Sequence, residues 1–513
     1  MTHEARTAPP EAVGGPHAPV NQEDGARPLL ERAAGEATPS IQTSEPPLPP
    51  EAVQEEDTQK VAHNVHGEED AKQVVGEACA KEDVERCGWA RSVMASFSSI
   101  VPPGGMLSTV FNIASICVGA GILGLPAASN SSGVVMAVVY PAIVGVLTVY
   151  ALYCLAVQME RLGLTTYEGM ARTLLGPGFD YFTTVMRSAI TFGGCVAVII
   201  CVADTFRAIF RNTDAPGYWR SSSGSRLLTS LVWLVLMLPF VIPRHVNSLR
   251  YVSMVGVVFI IYFVVMIIVH SGMNGLAENS KHITVAGRPT DDGIHMFGTG
   301  NKALDGLGVF MFSYTCHIGA FEVYWDMRER SVRRFTLYSA IAILLCFILY
   351  ALTGIFGYFD FGSRTTVSAL LLYDPVKEPA VMVACVGVLV KLCASYPLLI
   401  MITRNSLYHS FGWNPDTLPF WRHCIFVISL AVASLLCGLF IPKINTVFGL
   451  VGAFCGGISG FIIPSLLMMY GGNWSLRSVG WMHYTFTYVL LLAGVAMMVF
   501  GTGATIYSAV KGD

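Results

Sequence analysis

From Met106 to the end of the chain, apolar stretches recur that are each long enough to cross a bilayer, separated by mostly short, polar links. A helix needs about 20 residues, at about 1.5 Å rise each, to span hydrocarbon. Eleven such stretches can be drawn, near residues 106–128, 133–159, 182–206, 227–243, 248–270, 301–326, 336–359, 380–403, 421–440, 445–470 and 481–508. Water is absent at that depth, so every backbone N–H and C=O needs a partner inside the protein, and each stretch reads as a helix. The expected fold class is therefore all-α integral membrane, with eleven transmembrane helices in residues 96–513.

Composition agrees. The 513 residues are 53% hydrophobic and 13% charged, where a soluble protein carries about 25% charged residues. Residues 1–100 hold 18 acidic and 8 basic side chains, a net of −10, and the remainder holds 17 and 24, a net of +7. The stretch "TSEPPLPPEAVQEEDTQ" has few large apolar groups to offset its ordering entropy, so residues 1–95 read as a disordered acidic tail. No apolar run follows a basic start there, which argues against a cleaved leader. No basic run with interleaved aromatics occurs, so no nucleic-acid partner is expected. An odd number of spans puts the termini on opposite faces. The link "RERSVRR" (328–334) with Arg244 and Arg250 favours a cytosolic N-terminus, although Arg207, Arg211, Arg220 and Arg226 then face outward. The thirteen cysteines fall in the tail or within spans, and they read as free thiols with no metal-type pairing.

Two spans break the pattern. The first reads "FNIASICVGAGILGLPAA" and places Gly119, Gly121, Gly124 and Pro126 within eight positions. Glycine and proline undermine a helix, and an unwound segment exposes carbonyls at one half and N–H groups at the other. Such groups can hold a cation and a carboxylate. Small residues also let two helices pack closely, so this stretch alone is ambiguous. The sixth span settles the reading. Its middle carries Ser313, Tyr314, Thr315, Cys316 and His317, followed by Gly319. Interruptions in spans one and six, five apart, point to two inverted five-helix repeats, residues 106–270 and 301–470, with 481–508 as an extra helix. The site then lies where the breaks face each other, with Gly119, Ala120, Gly121, Ile122, Phe312, Tyr314 and Cys316 as substrate-binding candidates. His317 is a candidate for ion coupling, though a lone histidine is more often an interior one. The aromatics Phe312 and Tyr314 also suit simple packing.

These residues carry a family resemblance. "VFNIASICVGAGILGLP" resembles the first span of amino acid/auxin permeases, and "FSYTCHIGAFEVYWDM" resembles their sixth-span FxxxCH segment. "FGYFDFG" (356–362) and "YPLLIMITRNSL" (396–407) are similar to the seventh and eighth spans. The "EVYWDM" ending and the acidic leader look most like the permeases of kinetoplastid parasites. The resemblance covers residues 106–508. It implies a LeuT-like fold and secondary active uptake of amino acids, driven by protons or sodium. Sodium-coupled members carry Asn where Ser115 stands and Thr where Ser395 stands, which makes a proton the favoured coupling ion.

The remaining intramembrane charges are few. Lys391 lies in "GVLVKLCASYP", one turn before Ser395, too central to reach the interface easily. Its ammonium is expected at the place sodium takes in sodium-coupled relatives, unless it pairs with an acidic neighbour. Glu322 follows the sixth-span break and can face the cavity, to bind a cationic substrate or Lys391; Asp305 and Asp204 are further intramembrane carboxylates. Asp326 and Arg328 suit the interface. No Ser/His/Asp set, HExxH or phosphate loop is present, so no enzyme and no cofactor is expected. No channel filter is visible. The favoured function is a secondary amino acid permease for a cationic (arginine or lysine) or small neutral substrate; the alternative is an amino acid sensor on the same scaffold that signals through the long tail. The expected partners are an amino acid, a coupling proton and the bilayer, with the chain a monomer. The expected location is the plasma membrane, with an acidic vacuolar or lysosomal membrane as the alternative.

Overall fold

The computed structural model describes residues 102–511 except 103, 212, 214–215, 244–248, 290, 416, 442–443 and 473; the acidic tail expected over residues 1–95 lies outside them. Among the described residues, nine helices are long and apolar enough to cross a membrane. The bent pair Met106–Cys117 and Ala120–Ser132, 47° apart, makes a tenth candidate, the first span. The others are the second span (Val134–Leu162), third (Phe179–Arg211), fourth (Ser222–Val241), fifth (Leu249–Met273), seventh (Val332–Phe361), eighth (Pro379–Phe411), ninth (Phe420–Phe440), tenth (Ile444–Tyr470) and eleventh (Trp481–Val510). The expected sixth span is present as two short helices, Asp305–Ser313 and Ala320–Trp325, with the single turn His317–Gly319 between them. Neither half is long enough to cross alone.

The helices start and stop where their sequences dictate. Gly163 and Gly412 end the second and eighth spans in left-handed conformation, at φ of 66° and 65°, which costs glycine least. Pro379 opens the eighth span, where its missing N–H would have been unpaired anyway. The third span is the scaffold's centre: 78% of its most apolar stretch is buried, the highest share of the candidate spans. It packs along the eighth and ninth spans, while the fifth packs against the eighth and the seventh against the first and second. Val146, Val185, Leu344 and Leu492 are all more than half exposed, as a lipid-facing surface requires. All cysteines among the described residues are free.

One link is more than a link. Within the polar segment 271–300, β1 (Ile283–Gly287) and β2 (Ile294–Gly298) pair in parallel, Ile283 opposite Ile294. This pair packs on the far end of the first span. A side chain at Gly298 would collide with the Ser131 carbonyl, and Asn130 Nδ2 donates to Pro289 O, between the strands, at 3.5 Å and to Thr365 O, after the seventh span, at 3.1 Å. Tyr358 OH accepts from the His295 N–H at 3.1 Å.

Candidate functional site

A cavity of about 170 Å³ lies between the two breaks. Its walls are the first span from Asn112 to Gly121, the third span at Ile190, Gly194 and Val198, the sixth from Phe312 to Val323, and the eighth from Ser395 to Ile402. Most of this lining is apolar, and a few polar groups converge on it, as small-molecule sites generally require. The first span stops being an α-helix at Val118 and resumes as a tight turn over Ala120–Gly124. The first N–H groups of such a turn have no acceptor within it, and Ala120 and Gly121 line the cavity. The two breaks touch at Gly121: a Cβ there would stand 2.6 Å from Ser313 Oγ.

Three carbonyls at the breaks are taken up by neighbouring spans. Lys391 Nζ donates to Ser115 O at 3.0 Å and to Ser115 Oγ at 2.6 Å. The lysine is fully buried, its stem lies against Gly256 of the fifth span, and Ser395 Oγ donates back to its carbonyl at 2.9 Å. On the sixth span, Tyr350 OH donates to Ser313 O at 2.8 Å, and Arg187 Nη2 donates to Ile318 O at 2.5 Å. Counting five spans to a half, the two cations come from the third member of each half. Each reaches the broken first member of the other half.

Arg187 also carries two carboxylates. Its Nη1 donates to both oxygens of Glu168, at 3.2 and 3.3 Å, and its Nη2 to Glu322 Oε1 at 2.9 Å. Glu168 sits on the short helix Tyr167–Leu175 and accepts from Ser406 Oγ at 2.6 Å. Burial alone would raise the Glu168 carboxyl, but Arg187 and Ser406 outweigh it and hold the group below the usual carboxylate range. Glu168 and Arg187 are closed from solvent, whereas 41% of the Glu322 side chain is exposed.

Of the residues singled out from sequence, Gly119, Ala120, Gly121, Phe312, Glu322, Ser115 and Ser395 line the cavity. Lys391 adjoins it through Ser115. Glu322 faces the cavity and pairs with Arg187. Ile122 is fully buried and outside the lining. Tyr314 turns away and meets Tyr350 edge to face, with ring centres 5.1 Å apart. Cys316 packs with Cys346 against the Cys117 thiol. His317 is buried against Phe461 of the tenth span, 5.9 Å between centres, and does not line the cavity. Sequence reasoning missed Arg187, Glu168, Asn112, Gly194 and Thr315. Arg187 carried the same signal as Lys391, a full charge within an apolar run.

The cavity has one open end. Glu322 is exposed on the side where the first span begins, where the Arg328 N–H donates to Gly104 O at 3.2 Å, whereas Ile122, Leu123 and Leu125 beyond the break are fully buried. There the first half of the sixth span lies backbone to backbone on the tenth. A Cβ on Gly308 would stand 2.5 Å from Gly449 O, and one on Gly452 would meet Gly308 O. Phe312 stacks on Phe448 across the same seam, 4.7 Å between centres.

Residues 102–507 match the family model described as transmembrane amino acid transporter protein. The chain is 25% identical over 375 residues to human solute carrier family 38 member 8, covering 70% of this chain and 82% of that protein. It is 26% identical over 409 residues to sodium-coupled neutral amino acid transporter 7 of Xenopus laevis, covering 77% and 86%. Among solved structures, a nucleobase-cation-symport-1 family transporter, Mhp1, in a closed conformation with bromovinylhydantoin bound, aligns at a TM-score of 0.45 and 13% identity, covering 79% of this chain and 93% of that one.

Proposed function

This chain belongs to the transmembrane amino acid transporter family, and from that premise we propose that it is a sodium-independent, proton-driven carrier of small to medium neutral amino acids. One observation carries the sodium-independent part: Lys391 Nζ sits on Ser115 O and Oγ, at the junction of the broken first span with the eighth. A resident ammonium there supplies the positive charge that a bound metal cation would otherwise bring to the exposed carbonyl. The Xenopus relative is by its name sodium-coupled and takes neutral amino acids; the proposal keeps the neutral substrate and departs on the ion.

In this reading the substrate carboxylate meets the N–H groups that begin the turn at Ala120 and Gly121, at the positive end of a helix dipole. The ammonium group meets the carbonyl end of the sixth span's first half and Thr315. The side chain occupies the apolar wall of Ile190, Val198 and Leu399. A neutral side chain is favoured over a cationic one because the cavity's carboxylate, Glu322, is already bonded to Arg187. The proposed location is the plasma membrane with a cytosolic N-terminus, so that the open end of the cavity faces the cytosol.

The test is purified protein in proteoliposomes, offered a panel of labelled amino acids under an imposed pH gradient or an imposed sodium gradient. Accumulation of neutral amino acids under the pH gradient alone is the expected result. Accumulation that requires sodium defeats the assignment of Lys391, and preferential uptake of arginine or lysine defeats the neutral substrate.

A further inference from the structure

We propose that Glu322 carries the coupling proton, and that the charge balance of Glu168, Arg187 and Glu322 ties that proton to closure of the cavity. The proposal rests on the proton-driven reading above and deepens it by naming the site. Two carboxylates and one guanidinium sum to −1. Glu168 is buried and takes both Nη1 contacts, so the unbalanced charge falls on Glu322, the member that solvent reaches through the open end. With the cavity open, water solvates that charge. When the second half of the sixth span closes over the cavity, the water leaves, and an uncompensated carboxylate in low dielectric becomes unfavourable. One proton from the open side converts the Glu322 carboxylate to its acid and brings the triad to zero.

The same bond gives the proton a mechanical effect. Arg187 Nη2 holds both Ile318 O and Glu322 Oε1, so one nitrogen fastens the turn at the break and the helix after it. Protonation removes the carboxylate's share of the charge assistance in the Glu322 bond and leaves the segment held chiefly by the Ile318 carbonyl. The groups that face Glu322 agree with this assignment. Arg187 approaches from the third span, and Glu168 stands behind it with Ser406 of the eighth span. Tyr167, which packs on Phe321 at 5.4 Å between ring centres, gives its hydroxyl to Ser459 O.

The experiment uses the full chain in proteoliposomes. At one proton per substrate, a gradient of one pH unit drives about tenfold accumulation of a neutral amino acid. Glu322→Gln is expected to lose that accumulation, falling to about equal concentrations inside and out, while exchange of labelled for unlabelled substrate continues and no longer depends on pH. Glu168→Gln leaves Glu322 in place but balances the triad without a proton, and it is expected to lose accumulation in the same way. Full accumulation by either variant overturns the proposal. Should neither variant insert, the unmutated protein decides: substrate addition is expected to raise a carboxylic-acid carbonyl band in the infrared difference spectrum, and its absence overturns the proposal. Lack of pH-driven uptake in the unmutated protein would instead defeat the proton-driven reading itself.

Discussion

Lys391 and Arg187 show what a buried charge is for in this molecule. Helical backbone satisfies itself, but each break leaves a carbonyl that hydrocarbon cannot solvate. A long basic side chain from a neighbouring span repairs the fault at Ser115 and at Ile318. Replacing Lys391 by Ala removes the ammonium donor from both Ser115 oxygens, at about 1–3 kcal/mol each. Lys391→Ala is therefore expected to melt at lower temperature and to lose most of its amino acid flux. If the ammonium stands where a cation belongs, sodium is expected to restore part of the flux, because Ser115 O, Ser115 Oγ and Ser395 Oγ remain as oxygen ligands. Uptake by Lys391→Ala that equals the unmutated rate, with the same response to pH, would show that the lysine is a bystander.

The two interrupted spans owe their geometry to glycine at one contact above all. Gly121 approaches Ser313 so closely that an added methyl would stand 2.6 Å from Oγ and 3.2 Å from Cα. Overpacking of this kind costs about 1–3 kcal/mol. Gly121→Ala is expected to cut transport at least about tenfold while the protein still inserts. Adding Ser313→Ala removes the nearest atom and is expected to recover part of the loss, a coupling that two independent sites would not show. The existence of both breaks was legible in the sequence, because glycine, proline and hydroxyl groups inside an apolar run contradict a continuous helix. Which side chains face the cavity was only partly legible. Helical phase holds along an unbroken helix, and the break at 314–319 resets it. Phe312 and Thr315 face inward, while Tyr314, Cys316 and His317 turn toward the second, seventh and tenth spans. Arg187 itself was as visible as Lys391, but its carboxylate partners were not: they are 19 and 135 residues away, and no local pattern joins them to it. The strands of segment 271–300 were equally silent, since β1 is almost wholly exposed and has no apolar alternation to announce it.

Taken whole, the bundle is sealed at one end and open at the other, and the seal is made of three layers. The Gly308–Gly449–Gly452 seam closes the sixth span on the tenth, Phe312 on Phe448 covers it, and the β1–β2 segment lies over the end of the first span through Asn130. A carrier needs both ends to open in turn around one site, so the resting protein is expected to admit water from the side of the N-terminus alone. Cysteine scanning with a membrane-impermeant thiol reagent measures this directly. A cysteine at Met401, in the cavity wall of the eighth span, is expected to react only when reagent is on the N-terminal side, and substrate is expected to slow the reaction. A cysteine at Leu125, fully buried beyond the seam, is expected to resist reagent from either side. Asn130→Ala removes the amide that reaches Thr365 O and Pro289 O, so it loosens the outermost layer. In that background the Leu125 position is expected to become reactive from the linker side, at a rate set by how often the glycine seam parts. Rapid labelling at Leu125 with Asn130 intact would mean that the seal is no barrier, and that the resting protein is open at the other end.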